Sequence, residues 1–205
     1  MAEHRHDHHA GMHGRAWGRE EALAALEFPE RRATQDPEAL WNRIRLAEGA
    51  TVVEVGAGTG YFVLPAARRV GPKGHVYAVD LSLELVDLVR DRARSEGLAQ
   101  LEAVRSSETK IPLPPGLADV VLLANVLHDI PPPTLREAVR LLKTEGALVN
   151  LDWKKETTER GPPISVRLTP EAAAERLAAE GLEVTERWEF GPHHYGLTCR
   201  KRTRG

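Results

Sequence analysis

The stretch TVVEVGAGTG, Thr51 to Gly60, limits what this chain can fold into more than any other. Thr51, Val52, Val53 and Val55 form a short run rich in β-branched residues, as expected of a central strand buried on both faces of a parallel sheet. Gly56, Gly58 and Gly60 end it, letting the backbone turn with positive φ and leaving no Cβ to keep a ligand from the main chain. From Gly60 the residues YFVLPAARRV read as a helix. The turn therefore lies at a helix N-terminus, where unpaired N–H groups favour electron-rich ligand atoms.

Two ligand classes use such a turn, and Glu54 separates them. A dinucleotide fingerprint is G-x-G-x-x-G with the pyrophosphate on the helix N-terminus. Here the spacing is G-x-G-x-G, and Tyr61 stands where the third glycine of that pattern belongs. Glu54 is a carboxylate within an apolar strand, costly to bury without a compensating cation or donors. It would repel a pyrophosphate and attract an ammonium group, and S-adenosylmethionine carries an ammonium together with a sulfonium. Asp80, closing the next apolar run YAVD, is placed as the acid that receives ribose hydroxyls. The cofactor contacts expected here are Glu54, Gly56, Ala57, Gly58, Gly60, Tyr61, Asp80 and Leu81. The alternatives are that Glu54 pairs with an arginine of the protein and that Asp80 only caps a helix beginning at Leu81 or Ser82.

VVEVGAGTGYF, VYAVD, ADVVLLANVLHDI and GALVNLDWKKE, in that order and spacing, resemble a class I S-adenosylmethionine-dependent methyltransferase. The resemblance is to the small-molecule branch that includes the quinone-biosynthesis C-methyltransferases, and it runs from Asp36 to the C-terminus. It implies that Asn125 approaches the methionine part of the cofactor and that His128 lies near the acceptor. At the adenine, where this family often has an Asp, alignment on KIPLP places Ser107 followed by Glu108. Either the Ser107 hydroxyl or a backbone group at these two residues makes the contact, or the serines only form turn hydrogen bonds. The Asn/Asp-Pro-Pro-aromatic signature of nitrogen-modifying enzymes is absent after the fourth strand. Where the acceptor is a hydroxyl or an acidic carbon, His128 is the expected general base, with Asp152 second.

With 205 residues, 41% of them hydrophobic, one domain with a full core is expected. A net charge of -2 argues against a nucleic-acid binder. The single cysteine, Cys199, excludes a disulfide framework, and no apolar run or signal segment points to a membrane, so a cytoplasmic protein with a small-molecule acceptor is expected. Residues 1–16 read as a flexible His-rich tail, residues 17–35 as an N-terminal helix or lid segment, and residues 36–205 as the cofactor-binding domain. His4, His6, His8, His9 and His13 with Asp7 match no defined metal site by spacing.

Further along, helices are expected over Arg19 to Glu27, from the cap Asp36-Pro37, over Ser82 to Glu96, over PTLREAVRLLK and from Thr169-Pro170 to Ala179. Strands are expected at HVYAVD, Leu98 to Val104, Asp119 to Ala124, from Gly146 to Trp153, and at LEVTERWEF and YGLTCRK. Alternation of strand and helix forces right-handed parallel crossovers. The expected fold is thus α/β and Rossmann-like: seven strands, mostly parallel, with an antiparallel last strand and helices on both faces. KKETTERGPPISVRL lacks periodicity and is long enough to be an active-site loop. His193, His194 and Tyr195 read as an exposed hairpin tip or as pocket lining. Two rival readings are an NAD-dependent oxidoreductase and a noncatalytic cofactor-pocket protein with a metal-binding His-rich tail.

Overall fold

The computed structural model describes residues 16–202. The histidine-rich tail lies almost wholly outside the described residues. A seven-stranded sheet forms the middle layer, in the order β3 (Leu101–Arg105), β2 (His75–Asp80), β1 (Thr51–Val55), β4 (Ala118–Ala124), β5 (Leu142–Trp153), β7 (His194–Lys201) and β6 (Leu182–Phe190). The first five strands are mutually parallel, and β7 runs antiparallel to both its neighbours.

Strand periodicity divides the core in two. Val52, Val76, Ala78, Leu122, Val149 and Leu151 face α3 (Pro37–Arg43), α4 (Val63–Val70) and α5 (Leu83–Ser95). Val53, Val55, Val79, Val121, Leu123 and Leu148 face α6 (Pro132–Leu141) and α7 (Pro170–Ala179). Glu54 projects to the side of Val52, where an apolar residue would be expected. A third cluster attaches α1 (Arg19–Leu26) through Ala22 to Leu85 and Leu88 of α5.

Local sequence explains most helix starts. The Asp36 carboxylate accepts from Glu38 N ahead of Pro37, Ser82 Oγ accepts from Leu85 N, and Thr169 Oγ1 accepts from Ala172 N. Four boundaries differ from expectation. Helix α4 starts at Val63 rather than straight after Gly60, and β3 begins at Leu101. Lys143 belongs to β5 because that strand follows α6 directly, with Leu142 already paired to Ala118 ahead of a register shift. A four-residue helix, α2 (Arg31–Thr34), follows Phe28-Pro29, where nothing in the sequence signals it.

The last hairpin departs most. His194 is 0% exposed and Tyr195 2%, so neither forms an exposed tip. Because β7 is inserted between β5 and β6, its first residues are covered on both edges, with His194 opposite both Trp153 and Phe190. Only His193 keeps the exposed position, where its Nδ1 meets Glu156.

Gly196 on β7 lies under the Trp188 indole, and a Cβ built there would fall 2.2 Å from the ring. Gly196→Ala should therefore destabilise the protein by about 1–3 kcal/mol as the indole is displaced. Urea denaturation measures this, and an unchanged midpoint would show that Trp188 repacks freely.

Candidate active site

The carboxyl ends of β1, β2 and β4 open into a cavity of about 370 Å³. Its walls include Glu54, Val55, Gly56, Ala57, Gly58, Thr59, Tyr61, Asp80, Leu81, Ser106, Glu108 and Asn125. The turn after β1 is possible because Gly56 and Gly58 adopt φ of 76° and 56°. At Gly56 a Cβ would also lie 2.7 Å from Val126 Cγ1, so the turn packs directly against the segment after β4. Asp80 secures it from the other side: Oδ2 accepts from Gly58 N at 2.9 Å and Oδ1 from Ser82 N at 2.9 Å. The true helix cap is Ser82, so Asp80 joins the glycine turn to the start of α5 while facing the cavity.

Glu54 is 2% exposed, and its Oε2 has no hydrogen-bond partner among the described residues. Burial holds its carboxyl well above the usual carboxylate range. The charge of Arg31 pulls the other way, and that of Asp80 adds to the rise. Asp80 is raised as well, by burial, against the N–H groups of Ser82, Gly58 and Leu81.

Arg31 of α2 is 7% exposed. Its Nη1 donates to Leu26 O at 2.6 Å, and its guanidinium lies 3.9 Å from the centre of the Tyr61 ring. Burial pushes it down to about 10, against the charges of Tyr61, Glu54 and Glu27. No ion pair joins Arg31 to Glu54 among the described residues, although both line the same cavity.

A second cavity of about 500 Å³ adjoins the first and shares Trp17, Leu26, Arg31, Asn125 and Asp129 with it. Phe28, Trp153 and the irregular segment 156–164 complete its walls. That segment is organised by Arg167, 3% exposed, whose guanidinium donates to the carbonyls of Lys154, Glu156, Arg160 and Pro162 and to Thr158 Oγ1. Arg160 then stacks over Phe28 at 4.7 Å, linking this loop to the N-terminal segment.

Four expected site residues lie elsewhere. Ser107 does not line the cavity: its Oγ accepts from Lys110 N at 3.0 Å in a local turn, and Ser106 takes the wall position instead. Gly60 faces Leu64 and Val89 rather than the opening, which makes it a packing position. His128 and Asp152 line neither cavity. They are paired with each other, His128 Nδ1 lying 3.0 Å from Asp152 Oδ1 with side-chain exposures of 5% and 0%. For His128, burial is the largest single influence and lowers its pKa, but the hydrogen bond and charge of Asp152 together with Asp129 outweigh it, so the net shift is upward. A raised pKa keeps the ring protonated over a wider range of pH, which narrows the range in which it can accept a proton. Conversely, Arg31, Trp17, Leu26 and Gln35 all line the cavities, within the segment 17–35 that the sequence marks as a helix or lid without singling out these residues as site residues.

Residues 53–150 match a family model described as a methyltransferase domain. Among solved structures, an S-adenosylmethionine-dependent methyltransferase from Aquifex aeolicus is 31% identical. The match covers 89% of this chain and 98% of that one, with a TM-score of 0.84. A demethylmenaquinone methyltransferase of Listeria welshimeri is 29% identical over 53% of this chain and 47% of its own length. A ubiquinone/menaquinone biosynthesis C-methyltransferase of Vibrio vulnificus is 28% identical over 57% and 48% respectively. The chain spans about half the length of these two relatives.

The His128 pair carries a signed pH dependence. Because the folded value exceeds the ordinary 6.5, its stabilisation is fully present below that value and is lost as pH rises through the elevated one. His128→Gln should cost more stability at pH 6 than at pH 9, read from urea midpoints. A cost that does not vary with pH would mean the ring is neutral throughout.

Proposed function

The chain belongs to the S-adenosylmethionine-dependent methyltransferases, and from that premise we propose that it transfers a methyl group from S-adenosylmethionine to a small molecule. The carrying observation is a buried carboxyl and a buried guanidinium at one cavity: Glu54, with an oxygen lacking a partner among the described residues, and Arg31, poised above Tyr61. An α-amino acid end has one ammonium and one carboxylate. Glu54 is suited to the first and Arg31 to the second. A dinucleotide would bring two phosphates to a carboxylate, which the same arrangement disfavours, so the NAD reading loses its support.

The remaining residues fit the rest of the cofactor. Gly56, Ala57 and Gly58 present backbone along the turn, Asp80 offers lone pairs for ribose hydroxyls, and Leu81, Ser106 and Glu108 border the position expected for the adenine. When bound, the cofactor supplies an electrophilic methyl and a neutral thioether leaving group. The protein's part is alignment and exclusion of water, supported by the apolar wall of Val55, Leu85, Val126 and Ile130.

We assign the acceptor to the second cavity, where Trp17, Phe28 and Trp153 offer flat apolar surface for a planar ring. The names of the Listeria and Vibrio relatives agree with an acceptor of quinone type. His128 and Asp152 act in this reading by supporting the segment after β4. A direct base role would require the ring to reach the acceptor in its neutral form. The N-terminal segment, residues 17–35, closes over both cavities as a lid. A cytoplasmic location fits the lone buried thiol, Cys199, and no helix among the described residues is long and apolar enough to cross a membrane.

Two measurements test this reading. In calorimetry S-adenosylhomocysteine should bind and NAD should not, and Glu54→Gln should weaken binding by about tenfold or more. Because burial raises the Glu54 carboxyl and an arriving ammonium favours its carboxylate form, binding should tighten as pH rises. An affinity that does not change with pH would refute that role for Glu54. Second, methyl-labelled cofactor incubated with cell extract should yield a labelled product that partitions into organic solvent. Label confined to protein or nucleic acid would overturn the small-molecule assignment.

A further inference from the structure

Asn125 lines both cavities, and a transferred group must lie where they meet. Its backbone takes φ of 58°, uncommon for a residue with a side chain, and its N–H donates to Leu151 O at 2.7 Å. The side chain is held in turn: Asn125 Nδ2 donates to Gln35 Oε1 at 2.9 Å, and Gln35 Nε2 meets His194 Nε2 at 2.6 Å. Gln35 is 2% exposed and His194 0%. These three residues come from the end of α2, the end of β4 and the start of β7, so the contact exists only in the folded chain.

A line of two amides ending on an imidazole has a direction. In the direction found, Gln35 donates to His194 Nε2, Asn125 donates to Gln35, and Asn125 Oδ1 is left buried with no partner among the described residues. If His194 Nε2 carried the proton, both amides would have to reverse and Asn125 would offer its NH2 instead. Burial, with the positive charges of His193, Arg31, Arg167 and Lys154, pushes His194 down to about 3, so the ring stays neutral at working pH and Nε2 can accept. Trp153, with its ring centre 4.2 Å away, fixes the plane of the imidazole.

We propose that Gln35 and His194 are positioning residues that orient the Asn125 carboxamide so that its oxygen, and not its amino group, is left for the positively charged sulfur of the methyl donor. The inference rests on the methyl-donor reading above. An oxygen at the junction favours a sulfonium, whereas an amino group there would repel it, and low local polarity enlarges the difference. The methyl donor and its demethylated product differ at that sulfur by one charge, so the orientation should appear as a preference between them.

The test is calorimetry on the full chain with S-adenosylmethionine and S-adenosylhomocysteine, without any acceptor. Gln35→Leu and His194→Phe should each lower the preference for the charged ligand by about tenfold. The double variant should lose no more than either single one, because both act through Asn125. His194→Phe keeps an aromatic ring against Trp153, and Gln35→Met substitutes for Gln35→Leu should the latter not fold. Equal weakening of both ligands, or an unchanged ratio, would make the relay purely structural and overturn the proposal. Failure of the unaltered protein to bind S-adenosylhomocysteine at all would instead refute the methyl-donor reading, and the inference with it.

Discussion

A carboxylate buried in the central strand is the constraint on which the rest of the site depends. Glu54 occupies a position that an aliphatic residue would fill at lower cost, and its Oε2 finds no hydrogen-bond donor among the described residues. Such a group either stays protonated or waits for a cation. The glycine turn beside it leaves room for that cation to arrive, and Asp80 keeps the turn in place through Gly58 N. Strand, turn and acid therefore form one unit that places an unpartnered carboxyl oxygen at the cavity.

A segment outside the repeating strand and helix pattern contributes to the walls of both cavities. Leu26, Arg31 and Gln35 come from the residues before α3, and each faces the cavities. Ala22 packs against Leu85 and Leu88, Ser82 Oγ donates to Trp17 O and Glu27 pairs with Arg92, while Arg31 lies over Tyr61 and buried Gln35 joins Asn125 and His194. Facing it is the loop built around Arg167. Its hydrogen bonds give an aperiodic stretch a fixed form along the wall of the second cavity.

Reading the chain as a sequence failed where a residue's meaning depended on what lay opposite. His128 and Asp152 both stand at carboxyl ends of strands, yet they pair with one another and line neither cavity, because β4 and β5 are neighbours. Ser107 was one position from the wall residue, since a turn closed by Lys110 rotates it outward. His194 carried the marks of an exposed hairpin tip, but insertion of β7 between two strands buries it, and that burial is what lets a neutral imidazole end a line of amides.

The sequence by itself determined the sheet, its parallel half, the glycine turn, the acids at Glu54 and Asp80 and the helix caps. All of these rest on interactions between residues close in the chain or on a period repeated along it. Tertiary structure alone decided that Arg31 shares a cavity with Glu54, which serine borders it, and that Gln35, Asn125 and His194 meet. Those pairings join residues 90 and 159 positions apart. No local pattern encodes them, because their geometry is set by how strands are ordered in the sheet and not by the residues themselves.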